Sequence, residues 1–314
     1  MNTRLKPRFT WIDNTRGLMI ILVAMGHIII DGSIDNTFNT IIRMPTFFMI
    51  SGFLFKFKPK KVYLKHKSIH LLLPYFVYLI PILAVQMYFE DKTVMEYFGR
   101  LLLGGPFLYA WTGVFWFITC LFFTQQIFNL LNSLKVRILN LVMILMLILA
   151  YLDDFIFNFN IPWSLNICLY TCPLFFIGFL FKTLIKNKTL PALVSILILC
   201  ILYFITTNII PESYTNLKEA NYGIPLLGIA ISTLSAFCLI SFFKSIPEFK
   251  LLAVIGKASM IIMYLHLPIR YLILHFQPNT NQWFILFISL LIPTALYYLL
   301  NRNKTSRLVL LGES

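Results

Sequence analysis

Long apolar runs separated by short polar segments dominate this sequence and limit the folds that are open to it. A helix that crosses a bilayer needs about 20 mostly apolar residues. Lipid offers no hydrogen-bond partners to the backbone, so the backbone must form its hydrogen bonds within the helix. We therefore interpret each run as a membrane-spanning helix and predict an all-α fold, a polytopic membrane helix bundle. The ten runs lie near 17–31, 41–57, 69–89, 115–131, 138–152, 163–181, 190–210, 223–243, 258–276 and 282–300.

The composition excludes several other classes of protein. Hydrophobic residues make up 59% of the 314 residues and charged residues 12%, whereas soluble domains average roughly 45–50% apolar and about 25% charged residues. This balance excludes an ordinary cytosolic enzyme, a disordered chain and a secreted disulfide scaffold. Because ten spans use roughly 200 residues, we expect a single transmembrane domain over 1–314 and no soluble domain.

The basic residues indicate how the bundle is oriented. Most of the 26 lie in alternate polar segments, and most of the twelve acidic residues lie in the others. Cytoplasmic loops carry an excess of Lys and Arg, so both termini are predicted to be cytoplasmic in a multi-pass protein of the plasma membrane. Topology then explains the net charge of +14, and no nucleic-acid partner is expected. Membrane lipids are expected partners, with anionic headgroups near the Lys-rich segment 56–67.

Some ionisable residues remain inside the predicted spans, where a charge is costly and suggests a function. They are Arg43, Arg270, His27, His266, His275 and His70, of which His275 at a helix end and His70 at the cytoplasmic entrance are expected to be structural. No metal site is expected, because no acidic residues are grouped with the histidines and the sequence contains no HExxH motif.

The first predicted span presents an acid, a cation and an imidazole on one helix face. Arg16 and His27 are eleven residues apart, which is three turns plus about 20° and about 16 Å of rise, and Asp13 precedes Arg16 by three residues. One hypothesis is a ligand such as coenzyme A, with its phosphates near Arg16 and its reactive end at His27, where neutral imidazole is a suitable general base. Asp13 and Arg16 would then belong to the donor-binding site. The alternative is a snorkelling arginine and an interfacial histidine without a ligand.

Several segments carry a resemblance to a known family. They are the Arg16–His27 spacing, the segment from Met44-Pro45 to Ser51-Gly52, the aromatic Trp116-Phe117 stretch, and Ile255-Gly256-Lys257 through Tyr264-Leu-His266. These segments resemble acyltransferase family 3 of polytopic membrane O-acyltransferases, and most closely its single-domain, fucose 4-O-acetylase-like members. The resemblance implies that His27 is the catalytic base and that Arg16 acts in catalysis and in holding acyl-CoA. It also implies acetyl-CoA as a co-substrate and no tightly bound cofactor.

Other residues in the predicted spans are candidates for binding the acceptor. His266 and Arg270 are four residues apart and so share one face of a helix. Arg43 is either an interfacial anchor or a cation of the acceptor site, and Trp116 is either a packing aromatic or a platform for a sugar. The candidate acceptor-binding residues are thus Arg43, Trp116, His266 and Arg270.

The favoured function is an O-acetyltransferase that moves acetyl from cytosolic acetyl-CoA to a hydroxyl group, with His27 as general base. The expected acceptor is a cell-surface polysaccharide or a lipid-linked sugar precursor. The alternative is a transporter or exporter of such a glycan, in which the same buried Arg and His residues guide the substrate. A homo-oligomer is allowed by either function.

Overall fold

The computed structural model describes residues 9–30, 32, 36–90, 92–187 and 189–313, with the backbone alone at 184–187. Its architecture is all-helical, with 80% helix. Within the described residues there is no strand, and one isolated bridge joins Asn216 and Asn221. The predicted all-α class is therefore confirmed. The end of the first predicted span, at residue 31, lies outside the described residues.

The described residues form fourteen α-helices, several of which are extended by π or 3₁₀ turns. The π turn Ser68–Leu72 joins α3 to α4, and the π turns Asp153–Phe157 and Ile205–Ile209 extend α7 and α9. The helices are α1 (Thr10–Ile28), α2 (Thr37–Phe53), α3 (Lys60–Lys67), α4 (Leu73–Phe89), α5 (Val94–Leu103), α6 (Trp116–Leu131), α7 (Val136–Leu152), α8 (Cys168–Asn187), α9 (Ala192–Phe204), α10 (Leu227–Ser245), α11 (Lys250–Lys257), α12 (Ser259–Phe276), α13 (Gln282–Leu300) and α14 (Lys304–Leu311).

Eight helical segments in the described part of the chain are long and apolar enough to cross a membrane. They correspond to the last eight predicted spans, so the chain is a multi-pass membrane protein. The first two predicted spans fall on α1 and α2, which are helical but are not among the eight. Helix α2 has only 17 residues, and α1 includes the polar stretch 13–16. The count of ten spans and the cytoplasmic termini therefore remain predictions.

Helix α1 lies in the interior of the bundle, where its backbone closely approaches that of α11. A Cβ atom at Gly17 would collide with the carbonyl oxygen of Leu252, and one at Gly256 would collide with the carbonyl oxygen of Asp13. Such contacts are open only to glycine, because any side chain would separate the two helices. The crossing fixes the half of α1 that carries Asp13 and Arg16.

A second pair of glycines joins α2 to α8 in the same way. A Cβ atom at Gly52 would collide with the carbonyl oxygen of Phe175, and one at Gly178 would collide with that of Met49. Small residues at helix contacts are typical of membrane bundles because they let the backbones approach. Helix α2 is thereby held between α1 and α8, and it contributes to the walls of two cavities.

Candidate active site between two cavities

Two cavities lie along α1, one at each end of the Arg16–His27 stripe. The cavity lined by Arg16 has a volume of about 520 Å³, and the cavity lined by His27 has a volume of about 370 Å³. We name them the Arg16 cavity and the His27 cavity. Both side chains thus face space inside the bundle, as the hypothesis of a bound ligand requires and as a lipid-facing stripe would not.

The Arg16 cavity is rich in cationic side chains. Lys67 at the end of α3 and Lys257 at the end of α11 join Arg16 in its lining. His66 and His70, four residues apart on one helical segment, also line it with their ring centroids 4.3 Å apart. Three Lys and Arg side chains from three separate helices therefore surround one space, which suits a ligand with several phosphate groups.

The sequence did not single out Lys67 and Lys257 as site residues. Each belongs to a basic segment, and the membrane topology already explains the charge of that segment. Their position next to the ends of predicted spans was the available signal. It does not distinguish them from neighbouring lysines such as Lys61 and Lys65, which are exposed and do not line the cavity.

The segment after α14 forms one wall of the Arg16 cavity. The carbonyl oxygen of Gly312 lies 2.6 Å from Nδ1 of His70, and the hydroxyl of Tyr297 donates to the Glu313 carboxylate at 3.2 Å. Gly312 has φ +63°, and a Cβ atom there would collide with the backbone of His70. Glycine at this position permits both the left-handed turn and the close contact.

The His27 cavity is built from α1, α2, α12, the first residue of α6, and the two loops that precede α6 and α10. His27, Arg43 and Arg270, three of the candidate site residues, line it together. Trp116 also lines it, with its side chain 6% exposed. Lys218 and Glu219, from the loop before α10, complete its charged lining.

Lys218 was not among the residues singled out in the sequence, because it lies in a polar loop between two spans. In the folded chain its side chain lies against the loop before α6, with Nζ 3.6 Å from the position that a Cβ atom of Gly113 would take. Burial lowers the pKa of Lys218 below its usual range, and the neighbouring Glu219 carboxylate opposes this shift.

Arg43 reaches the side of α1 because residue 26 is a glycine. Its Nη1 donates to the carbonyl oxygen of Leu22 at 3.3 Å, and a Cβ atom at Gly26 would occupy the place of the guanidinium. Gly26 directly precedes His27, and the guanidinium lines the same cavity as the proposed base. Arg43 is thus part of the cavity wall, not only an anchor at its edge.

His266 does not line the cavity but lies behind His27. It is fully buried, and its ring centroid is 5.5 Å from that of His27. Its Nδ1 is 2.9 Å from the carbonyl oxygen of Ile262, and a carbonyl only accepts, so Nδ1 carries the hydrogen. Nε2 is buried and has no partner among the described residues.

The two cavities meet at Met263 of α12, which lines both and is 3% exposed. On α6, consecutive residues divide between them, with Trp116 lining the His27 cavity and Phe117 lining the Arg16 cavity. Methionine has three rotatable side-chain bonds. A thin and adjustable partition therefore separates the two spaces.

Asp13 has a different setting from the other predicted residues. It is buried, and its backbone lies against Gly256 of α11, so that it supports the α1–α11 crossing. It is not among the residues that line the Arg16 cavity. Its assignment to the donor-binding site remains a prediction.

Comparison with known proteins gives one informative result. Residues 9–302 match a family model described as an acyltransferase domain, which is nearly the whole chain. No curated protein and no solved structure matches the chain. The matched range contains every residue named above in the His27 cavity and all but the end of the Arg16 cavity wall.

Proposed function

This chain belongs to acyltransferase family 3 and is a membrane acyltransferase, and from that premise we propose that it transfers acetyl from acetyl-CoA to a sugar hydroxyl. The acceptor is a cell-surface polysaccharide or a lipid-linked sugar precursor, and the membrane is the plasma membrane. The observation that carries this proposal is the pair of cavities at the two ends of the Arg16–His27 stripe, which meet at Met263.

The donor occupies the Arg16 cavity. Coenzyme A has a diphosphate and a further phosphate at one end, and Arg16, Lys67 and Lys257 supply three cations for them. Hydrogen bonds between ionised partners are about twice as strong as neutral ones. The flexible pantetheine arm then extends along α1 towards His27, past Met263. The cavity of about 520 Å³ is lined by Lys67 and Lys257, on the side that we assign to the cytosol.

His27 acts as the general base. It removes the proton from the acceptor hydroxyl while the hydroxyl oxygen attacks the thioester carbonyl, so that a C–O bond forms. When the tetrahedral intermediate collapses, the C–S bond breaks and the departing thiolate of CoA receives the proton from His27. The products are the acetyl ester and free CoA, and no acyl-enzyme is needed. Arg43, beside His27, supplies positive charge next to the oxyanion of the intermediate.

Family membership favours this enzyme over the transporter that the buried Arg and His residues would also allow. A transporter would move its substrate in response to an ion gradient and would be indifferent to acetyl-CoA. An acetyltransferase releases one CoA thiol for each ester formed.

The experiment uses the full chain in lipid nanodiscs with labelled acetyl-CoA and a mixture of neutral and acidic oligosaccharides. We expect His27→Ala to lower transfer by at least about 100-fold, the usual loss when a general base is removed, while CoA still binds. We expect Arg16→Ala to weaken CoA binding. His275→Ala is the matched control, because His275 packs against Phe89 away from both cavities. Transfer by His27→Ala at the wild-type rate would contradict the proposal.

A further inference from the structure

Cationic side chains outnumber acidic ones in the lining of the His27 cavity. Arg43, Lys218 and Arg270 line it together with a single acidic residue, Glu219. In the described part of the chain none of the three cations forms an ion pair. Two of them, Arg43 and Arg270, belong to helices of the membrane bundle.

Unpaired cations in such a position are costly. Removing a charge from water is unfavourable unless a partner of opposite charge replaces the water. The lowered pKa of Lys218 is one sign of this cost, since burial disfavours its charged form. A bound ligand with a negative charge would offset it.

The three cations converge on the cavity from different parts of the fold. Arg43 comes from α2, Arg270 from α12 and Lys218 from the loop before α10. Two of the three are held in place, because Arg43 donates to the carbonyl of Leu22 and Arg270 lies over the ring of Tyr271 at 5.2 Å. This convergence differs from a charged stripe on one exposed helix face, and it creates a preformed site for an anion.

The Arg43 guanidinium lies against Gly26, the residue before His27, and we assign it to the reacting atoms. Arg270 lies one turn beyond His266 on α12, and Lys218 lies against the loop at Gly113. Arg270 and Lys218 are therefore available to bind a group of the acceptor that does not react.

We propose that the acceptor carries a negative charge, a carboxylate or a phosphate, near the hydroxyl that receives the acetyl group, and that Arg270 and Lys218 bind this anionic group. The inference rests on the proposed function, because it takes the His27 cavity as the acceptor site. It narrows the acceptor to acidic glycans and to sugars attached through phosphate. The two cations determine specificity and take no part in the proton transfer.

The test measures binding of matched probes to the full chain in nanodiscs. One pair is a galacturonate trisaccharide and the galactose trisaccharide, and the other is glucose 1-phosphate and glucose. We expect the charged member of at least one pair to bind about 10- to 100-fold more tightly, as hydrogen bonds to charged groups imply. The pair with the larger difference identifies whether the charge belongs to the sugar or to a phosphate link.

Two variants remove the cations, and others control for charge and folding. Arg270→Gln and Lys218→Met should each remove most of the preference, whereas Arg270→Lys and Lys218→Arg should retain it. Lys135→Met removes an exposed lysine from the loop before α7 and should leave the preference unchanged. Equal binding of charged and neutral probes, or a preference that survives both substitutions, would overturn the proposal.

A failure of this inference differs from a failure of the proposed function. If acetyl transfer proceeds equally well to charged and neutral acceptors, the acetyltransferase function stands and the charge preference is wrong. If charged probes bind preferentially but acetyl is never transferred, the anionic site stands and the reaction is wrong.

Discussion

The rings of His27 and His266 lie with their centroids 5.5 Å apart at the inner side of the His27 cavity. His266 is fixed by its bond to the Ile262 carbonyl, and the same bond leaves its Nε2 as an acceptor. A buried acceptor without a partner is rare in folded proteins. Next to the proposed base, this nitrogen can orient the His27 ring through a water molecule.

His266 is therefore expected to be a positioning residue. His266→Phe keeps an aromatic ring against His27 but removes the acceptor, whereas His266→Ala removes both. We expect both variants to lower the rate of acetyl transfer about tenfold and to leave the Kd for CoA unchanged, since the donor phosphates bind elsewhere. We also expect the pH–rate profile to shift, because the His266 ring lies next to the titrating base. A wild-type rate and profile in His266→Phe would mean that the ring only fills space.

Gly26 is expected to be essential for the position of Arg43. In Gly26→Ala the new methyl group takes the place of the guanidinium, so Arg43 loses its bond to Leu22 and moves away from His27. Because a hydrogen bond to a charged group is worth about 1.5–3 kcal/mol, we expect transfer to fall by at least about tenfold, as measured with labelled acetyl-CoA.

Gly99→Ala is the control for this substitution. Gly99 lies within α5, and a Cβ atom there would meet no other atom within 4 Å. Alanine should stabilise this helix by roughly 0.5–1 kcal/mol and leave transfer unchanged. Equal activity of the two alanine variants would show that the position of Arg43 does not matter for turnover.

Met263 is expected to control passage between the two cavities. Met263→Trp enlarges the partition, so the acetyl group should no longer reach His27 while the phosphates still bind in the Arg16 cavity. We expect a large loss of kcat with the Kd for CoA within about threefold of wild type. Met263→Leu, a volume-conserving change that usually costs less than about 1.5 kcal/mol, should remain active. Full activity of the Trp variant would contradict a path past this residue.

Lys67 and Lys257 are expected to contribute to donor affinity. Lys67→Met and Lys257→Met each remove one cation from the Arg16 cavity, and we expect each to raise the Kd for CoA about tenfold. Dephospho-CoA lacks one of the phosphates of CoA. The variant whose missing lysine binds that phosphate should lose less affinity for dephospho-CoA than for CoA. Lys61→Met is the matched control, because Lys61 is an exposed residue of the same helix as Lys67. An unchanged Kd in both cavity variants would contradict phosphate binding there.

Hydrophobicity predicted the helical segments well, because every long apolar run in a bilayer must form a helix. It was less informative about the polar connections. The structure has an amphipathic helix, α11, in the connection before α12, where no helix was predicted, and that helix fixes Asp13 and Gly17 of α1. Helix α5 was likewise not predicted. Short amphipathic helices lack the length and hydropathy by which the spans were recognised.

The candidate site was predictable where its residues share one helix. Arg16 and His27 are related by helical geometry alone, and both were expected to face a ligand. Lys218 and Lys257 reach the cavities only through tertiary packing, so no local pattern identifies them. The contact of Gly26 with Arg43 likewise depends on how α1 and α2 cross. Such contacts join residues that are far apart in the sequence. Residue spacing within one segment therefore does not predict them.

The paired glycine contacts of α1 with α11 and of α2 with α8 have a consequence for how the protein moves. Backbones in direct contact leave little slack, so these helices should behave as a stiff frame in bilayers of different thickness. Motion between donor and acceptor is then left to side-chain rotamers, which exchange far faster than helices rearrange. Such a frame would keep a water-sensitive thioester in a passage that never has to open widely.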